Sequence, residues 1–189
     1  MFCRDWLAFG FATGGLLLVG MATLHANPVG GEVTAGQVEI STVGSALHIQ
    51  QTSDRAVINW RDFSIQPGEM TQFHQPSASS AVLNRVTSTT PSQLMGQLQA
   101  NGQVYLMNPN GIFFGPGAVI NASSFLAATA DLSSAEFMAG RLGLLVTSEP
   151  GVIRNEGAIR GEQGSVQLLS KSIENTGTLE APKGEVGLY

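Results

Sequence analysis

The sequence predicts an all-β chain wound as a parallel β-helix, and three observations carry that expectation. The first is a repeat. "VIRNEGAIRGEQGSVQLL" begins at Val152 and "SIENTGTLEAPKGEVGLY" begins at Ser172. At an offset of twenty, Ile153 meets Ile173, Asn155 meets Asn175, Gly157 meets Gly177 and Ile159 meets Leu179; Gly164, Val166 and Leu168 meet Gly184, Val186 and Leu188. A period of this length marks a solenoid. The second is the alternation inside each unit, Ile-x-Asn-x-Gly-x-Ile and then Gly-x-Val-x-Leu, which is the period of a strand. The third is composition: 12% charged residues and 23 Gly suit short strands and many turns better than helices. A leucine-rich repeat is excluded because its Leu-x-x-Leu-x-Leu frame is missing. In a parallel β-helix, in-register Asn155 and Asn175 would form an amide ladder, with glycines at the corners.

The elements follow in chain order. Residues 1–26 are expected to be a cleaved secretory signal: a short start carrying Arg4, an uncharged apolar run from Trp6 to Leu24, then small residues ending at Ala26. Cleavage after Ala22 competes with cleavage after Ala26, so the mature chain would start at Thr23 or Asn27. The single cysteine, Cys3, falls within this segment, so the mature chain would carry no disulfide. Residues 27–189 are expected to form one domain. Its short strand candidates are "AVINW" (56–60), "TQF" (71–73) and "AVLNRV" (81–86). "GQVYL" at Gly102 echoes "GSVQL" at Gly164, and "VINASSF" from Val119 echoes the Val/Ile-x-Asn phase of the tail. One stretch, Pro91 to Ala100, is expected to be helical, because Leu94 and Leu98 stand at i and i+4. "ADLSSAEFMAG" (130–140) is expected to be an excursion from the solenoid. Trp60 and Phe63 are expected to anchor an N-terminal cap, where Arg85 would pair with a carboxylate.

Between the apolar runs Val104-Tyr105-Leu106-Met107 and Ile112-Phe113-Phe114 stands Asn108-Pro109-Asn110-Gly111. These four residues predict a tight turn. Asn108 can accept a backbone N–H, Pro109 pre-sets φ, Asn110 tolerates the bridge region and Gly111 tolerates positive φ.

Chemistry of other kinds is poorly served. The net charge of −5 excludes a basic nucleic-acid groove as the default surface. His48 and His74 have no companions at metal-ligand spacing, and no nucleophile elbow or phosphate loop is present. No catalytic residue, metal or cofactor is expected. The alternative is a polysaccharide-active β-helix enzyme using two carboxylates.

Residues 58–133 resemble the secretion domain of filamentous-haemagglutinin-type exoproteins, closest to the high-molecular-weight adhesin branch. The shared features are Asn59-Trp60 with Phe63, Phe73 with Gln75-Pro76, Leu83-Asn84-Arg85-Val86, the Asn-Gly-Gln-Val frame and the Asn-Pro-Asn-Gly-Ile box. The resemblance implies a right-handed parallel β-helix with an N-terminal β cap and short extra-helical excursions. It also implies a Gram-negative source and two-partner secretion, in which an Omp85-type outer-membrane transporter recognises the domain through periplasmic modules. The product would be secreted or held at the cell surface, by way of the periplasm, without stable membrane insertion once the signal is gone. Recognition would involve Asn108, Pro109, Asn110, Gly111 and Ile112, with Asn84 and Arg85. The haemagglutinin branch has a second Asn-Pro-Asn-Leu box where this chain reads Leu83-Asn84-Arg85-Val86. The open coil edge at Tyr189 carries the expectation of a longer exoprotein, whose C-terminal passenger would bind a host-cell or surface ligand.

Overall fold

Stacking of like side chains on like organises the fold. The computed structural model describes residues 27–145 and 151–189; the expected signal segment lies outside them. Three sheets form the faces of the solenoid, two of them running its length. On the first, Arg55–Trp60, Ala81–Val86, Gln103–Met107, Ser124–Ala128, Val166–Leu169 and Val186–Leu188 lie parallel, one per turn. The second contains Ala46–Gln51, Met70–His74, Gln97–Ala100, Val119–Ala122, Ala158–Gly161 and Thr178–Glu180. The third is shorter: Ser92–Leu94, Ile112–Phe114, Ile153–Asn155 and Ile173–Asn175. At the N-terminal end Glu32–Ala35 and Val38–Val43 join the first two sheets antiparallel, forming the cap.

The core is built of columns. Ala56, Val82, Val104, Phe125, Val166 and Val186 stand one above another on the first face. Leu98, Ile120, Ile159 and Leu179 do so on the second. The repeat read from the tail holds residue for residue: Ile153 pairs with Ile173, Val166 with Val186 and Leu168 with Leu188. Asn155 donates its amide to the Asn175 Oδ1 at 2.7 Å, while its own Oδ1 accepts the Gly157 N–H. Each coil supplies one layer of a column, so the coils bury their apolar faces only against each other.

Two expectations are corrected. Pro91 to Ala100 is not helical. Leu94 and Leu98 are both buried, but they belong to strands on different faces, Ser92–Leu94 and Gln97–Ala100. Met95 and Gly96 make the corner between them, where a Cβ on Gly96 would lie 2.4 Å from the Gln66 carbonyl oxygen. A corner of this length returns the inward phase after four residues and so imitates a helix. The Val119 echo is also out of phase. Val119 pairs with Ala158 and Asn121 with Arg160, so Asn121 continues the second face rather than the asparagine ladder. The Gly102 echo is in phase, with Val104 and Val166 in one column.

Residues 130–143 leave the solenoid and fold back over the outside of the first face. The short helix Ser134–Met138 is N-capped by Ser133, whose hydroxyl accepts the Glu136 N–H. Its Phe137 and the preceding Leu132 are fully buried against Val57, Leu83, Met107 and Leu126. This strap explains why "AVLNRV" does not alternate: both faces of that strand are covered. Burying each of the two large side chains stabilises the strap by about 1.5–3 kcal/mol.

Candidate functional site

The Asn-Pro-Asn-Gly box forms the corner at which the first face turns into the third. Its geometry follows from the four residue types. Gly111 donates its N–H to the Asn108 carbonyl at 3.1 Å, closing the turn, and has φ +119°, where side chains are strained. The Asn108 Oδ1 accepts the Asn110 backbone N–H at 3.0 Å and the Asn110 Nδ2 at 3.2 Å. Asn108 Nδ2 donates down one coil, to the Thr90 carbonyl and the Ser92 hydroxyl, both at 3.0 Å. Asn110 Nδ2 reaches the Ser88 carbonyl at 2.8 Å. Upward, the Gly151 N–H donates to the Pro109 carbonyl at 2.7 Å and the Ile112 N–H to the Val152 carbonyl. The box therefore clamps three successive corners together, including the one from which the strap departs.

Asn108 is completely buried; Pro109 and Asn110 are half-buried. Anything that reads the folded box reads the surface it shapes rather than the Asn108 amide. That surface is an apolar groove of about 480 Å³ lined by Pro91, Asn110, Phe113, Val152 and Arg154. The Arg154 guanidinium sits 5.7 Å from the centre of the Phe113 ring.

Asn84 and Arg85 sit on the neighbouring strand, with Asn84 beside Leu106 and Arg85 beside Met107. Asn84 points inward and interrupts an aliphatic column between Ile58 and Leu106. Its Oδ1 accepts the Trp60 indole N–H at 2.9 Å, and its Nδ2 donates to the Tyr105 carbonyl at 3.3 Å. A column position that would take an aliphatic is thus kept polar to satisfy a buried indole. Trp60 in turn packs on Gly31, where a Cβ would come within 2.6 Å of the ring, and edge-on against Phe63. Both aromatics anchor the N-terminal end, as expected. An Asn84→Ala change leaves the indole N–H unpaired and should lower stability by about 1–3 kcal/mol. Urea melts followed by tryptophan fluorescence measure this.

Arg85 does pair with a carboxylate, but not in the cap. Its Nε donates to Asp131 Oδ1 at 2.6 Å, and its Nη atoms donate to Ser134 Oγ, Asn59 Oδ1 and the Leu132 carbonyl. The partner lies 46 residues on, at the root of the strap. Arg55 holds the other end: its Nη1 donates to the Phe137 carbonyl at 3.2 Å and its guanidinium lies 5.2 Å from the Phe137 ring centre. Tyr105 meets the same ring edge-on at 5.3 Å. Burial pushes its phenol above the ordinary tyrosine value, and the Arg55 charge offsets part of that rise. The strap anchors were missed from the sequence, although Ser133-x-x-Glu136 is a helix-start signal.

His74 ends its strand half-buried, with its ring stacked on His48 at 5.8 Å. Among the described residues no group of three or more His, Cys, Asp or Glu side chains is placed to hold a metal ion.

Comparison with known proteins gives a consistent answer. A family model described as TPS secretion domain matches residues 24–189. The Heme/hemopexin-binding protein of Haemophilus influenzae is 42% identical over 105 residues, 56% of this chain and 12% of the relative. Filamentous hemagglutinin of Bordetella pertussis is 29% identical over 110 residues, 57% of this chain and 3% of the relative. The crystal structure of the HMW1 secretion domain from Haemophilus influenzae matches with a TM-score of 0.76 at 39% identity, covering 80% of this chain and 41% of that one. The chain spans 12% or less of the length of these two curated relatives.

Proposed function

The chain belongs to the TPS secretion domain family, and from this premise we propose that the corner made by Asn108, Pro109, Asn110, Gly111 and Ile112, with Asn84 and Arg85, is what an Omp85-type transporter recognises. As a secretion domain of adhesin- and haemagglutinin-like exoproteins, it acts by being bound by the transporter partner of two-partner secretion, and exoproteins of this family leave through the outer membrane. The observation that carries the residue assignment is the clamp itself. Asn108 spends its whole side chain on its own corner and the one below, the backbone of Pro109 and Ile112 ties in the corner above, and the product is an exposed apolar groove rather than a catalytic cleft.

In this reading residues 1–26 direct the chain to the periplasm and are removed. Residues 27–189 form the secretion domain, and a passenger in a longer exoprotein carries adhesion to a host-cell or other surface. The product is secreted or retained at the cell surface. The polysaccharide-enzyme alternative gains no support from the fold, the corner or the relatives. The test is export of the chain from a Gram-negative host with and without a co-expressed outer-membrane transporter of the two-partner-secretion type. Protein should reach the medium only with the transporter present, and its intact mass should lack the first 22 or 26 residues. Equal export without the transporter overturns the reading.

A further inference from the structure

The chain contains two Asn-Gly pairs, Asn101-Gly102 and Asn110-Gly111. Among peptide links, Asn-Gly deamidates most readily, because glycine has no side chain to keep its nitrogen away from the asparagine Cγ. The fold nevertheless requires both members at both corners. A Cβ on Gly102 would lie 2.5 Å from Gln75 Oε1, and Gly111 combines φ +119° with a Cβ position 3.0 Å from the Val152 carbonyl oxygen. Each asparagine ties its corner to the coil below: Asn101 exchanges two bonds of 2.7 Å with the Gln75 backbone, and Asn110 Nδ2 donates to the Ser88 carbonyl. Folding also occupies the atoms that would react. The nucleophile is the glycine nitrogen, whose N–H is held by the Asn108 carbonyl at Gly111 and by Gln75 Oε1 at Gly102. The leaving group is the asparagine Nδ2, held by Ser88 and Asn108 Oδ1 in the box and by the Gln75 carbonyl at the other corner.

We propose that Asn110-Gly111 is a covalent modification site of the unfolded chain, shielded once the corner closes. The Gly111 nitrogen bonds to Asn110 Cγ, the Cγ–Nδ2 bond breaks, and Nδ2 departs as ammonia with the glycine's proton. One water then opens the succinimide at either carbonyl and leaves aspartate or isoaspartate at position 110. Neither product rebuilds the box. Aspartate loses the donor to Ser88 and turns a carboxylate oxygen toward two acceptors, the Ser88 carbonyl and Asn108 Oδ1. Arg154, on the same groove, is already paired with Glu156. Isoaspartate adds a methylene to the main chain inside a turn that Gly111 N–H closes on the Asn108 carbonyl at 3.1 Å. The box thus puts a chemical time limit on the unfolded chain, whether or not a transporter reads the corner.

The test ages the purified chain in mildly alkaline buffer, once folded and once in guanidinium chloride. Residues 86–141 form one tryptic peptide, so fragmentation reads positions 101 and 110 in the same molecule. Reaction in the folded chain must pass through local opening, so conversion at 110 should be at least about tenfold slower than in the unfolded chain. The pool aged unfolded is then brought to the denaturation midpoint of the parent, and a pulse of protease removes unfolded chains. A tenfold fall in the folding constant takes the folded share there from one half to about one tenth. Among chains intact at 101, those converted at 110 should therefore be depleted about fivefold or more from the survivors. If the aged pool aggregates, Asn110→Asp, which carries one product from synthesis, takes its place and should melt at lower guanidinium concentration than the parent. Equal conversion of folded and unfolded chains overturns the shielding. Undepleted survivors, or a parental melt of Asn110→Asp, overturn the time limit.

Discussion

A Val166→Asp chain should lose most of its stability, while Gln167→Asp, one position along, should melt like the parent. Val166 is fully buried between Phe125 and Val186 in the first-face column, whereas Gln167 is half-buried and points outward beside Leu126. A carboxylate at 166 has no cation to meet inside the solenoid. It must be desolvated or protonated, at a cost of several kcal/mol. Domains of this size are stable by only about 5–15 kcal/mol, so one such change consumes most of it. Urea melts of the two variants make the comparison, and similar destabilisation by both would mean that the strand phase is wrong.

Gly111→Val should be nearly as damaging, for a different reason. Its φ of +119° disfavours any side chain, and a Cβ there would lie 3.0 Å from the Val152 carbonyl oxygen. That oxygen accepts the Ile112 N–H, so relief of the clash breaks the link to the next coil. Strain and lost contacts together should cost about 3 kcal/mol or more. Gly44→Val separates the two terms, since Gly44 has φ +59° but open space around it. It should lose only about 1–2 kcal/mol. Thermal melts giving equal losses at both sites would remove the contact with Val152 from the explanation.

The tail was legible because each coil there is an uninterrupted twenty residues, so identical side chains recur at the spacing at which they stack. Further upstream that signal fades for physical reasons. Corners differ in length, which is how Leu94 and Leu98 came to look like one face of a helix. The strap inserts residues between Phe114 and Asn155, which are direct neighbours in the third sheet. The same insertion hid Gly151, whose Cβ would lie 2.3 Å from the Asn110 backbone, as a partner of the box. The turn at Asn108 could be read from residue types alone, because Asn, Pro and Gly each answer a local backbone demand. Burial of Asn108 could not. It depends on Thr90 and Ser92 arriving one coil below, a contact between corners rather than within one. Arg85 was legible as an ion-pair partner, but Asp131 could not be chosen from sequence because the strap's return path is a tertiary fact.

That burial changes what an Asn108 variant can reveal. Asn108→Ala strips the Thr90 carbonyl, the Ser92 hydroxyl and the Asn110 N–H of a partner, and should cost about 2–4 kcal/mol rather than the value of a single surface bond. A fall in export alone would therefore prove little. The decisive measurement is export of Asn108→Ala against Val166→Ala, a core truncation of comparable cost at about 2–3 kcal/mol that leaves the corner untouched. Both are secreted through the same transporter, with urea melts of each purified chain. If the corner is the recognised element, Asn108→Ala should be exported at least about tenfold less than Val166→Ala at matched stability, a difference of about 1.4 kcal/mol in the recognition step. Equal export of the two at equal stability would contradict the account.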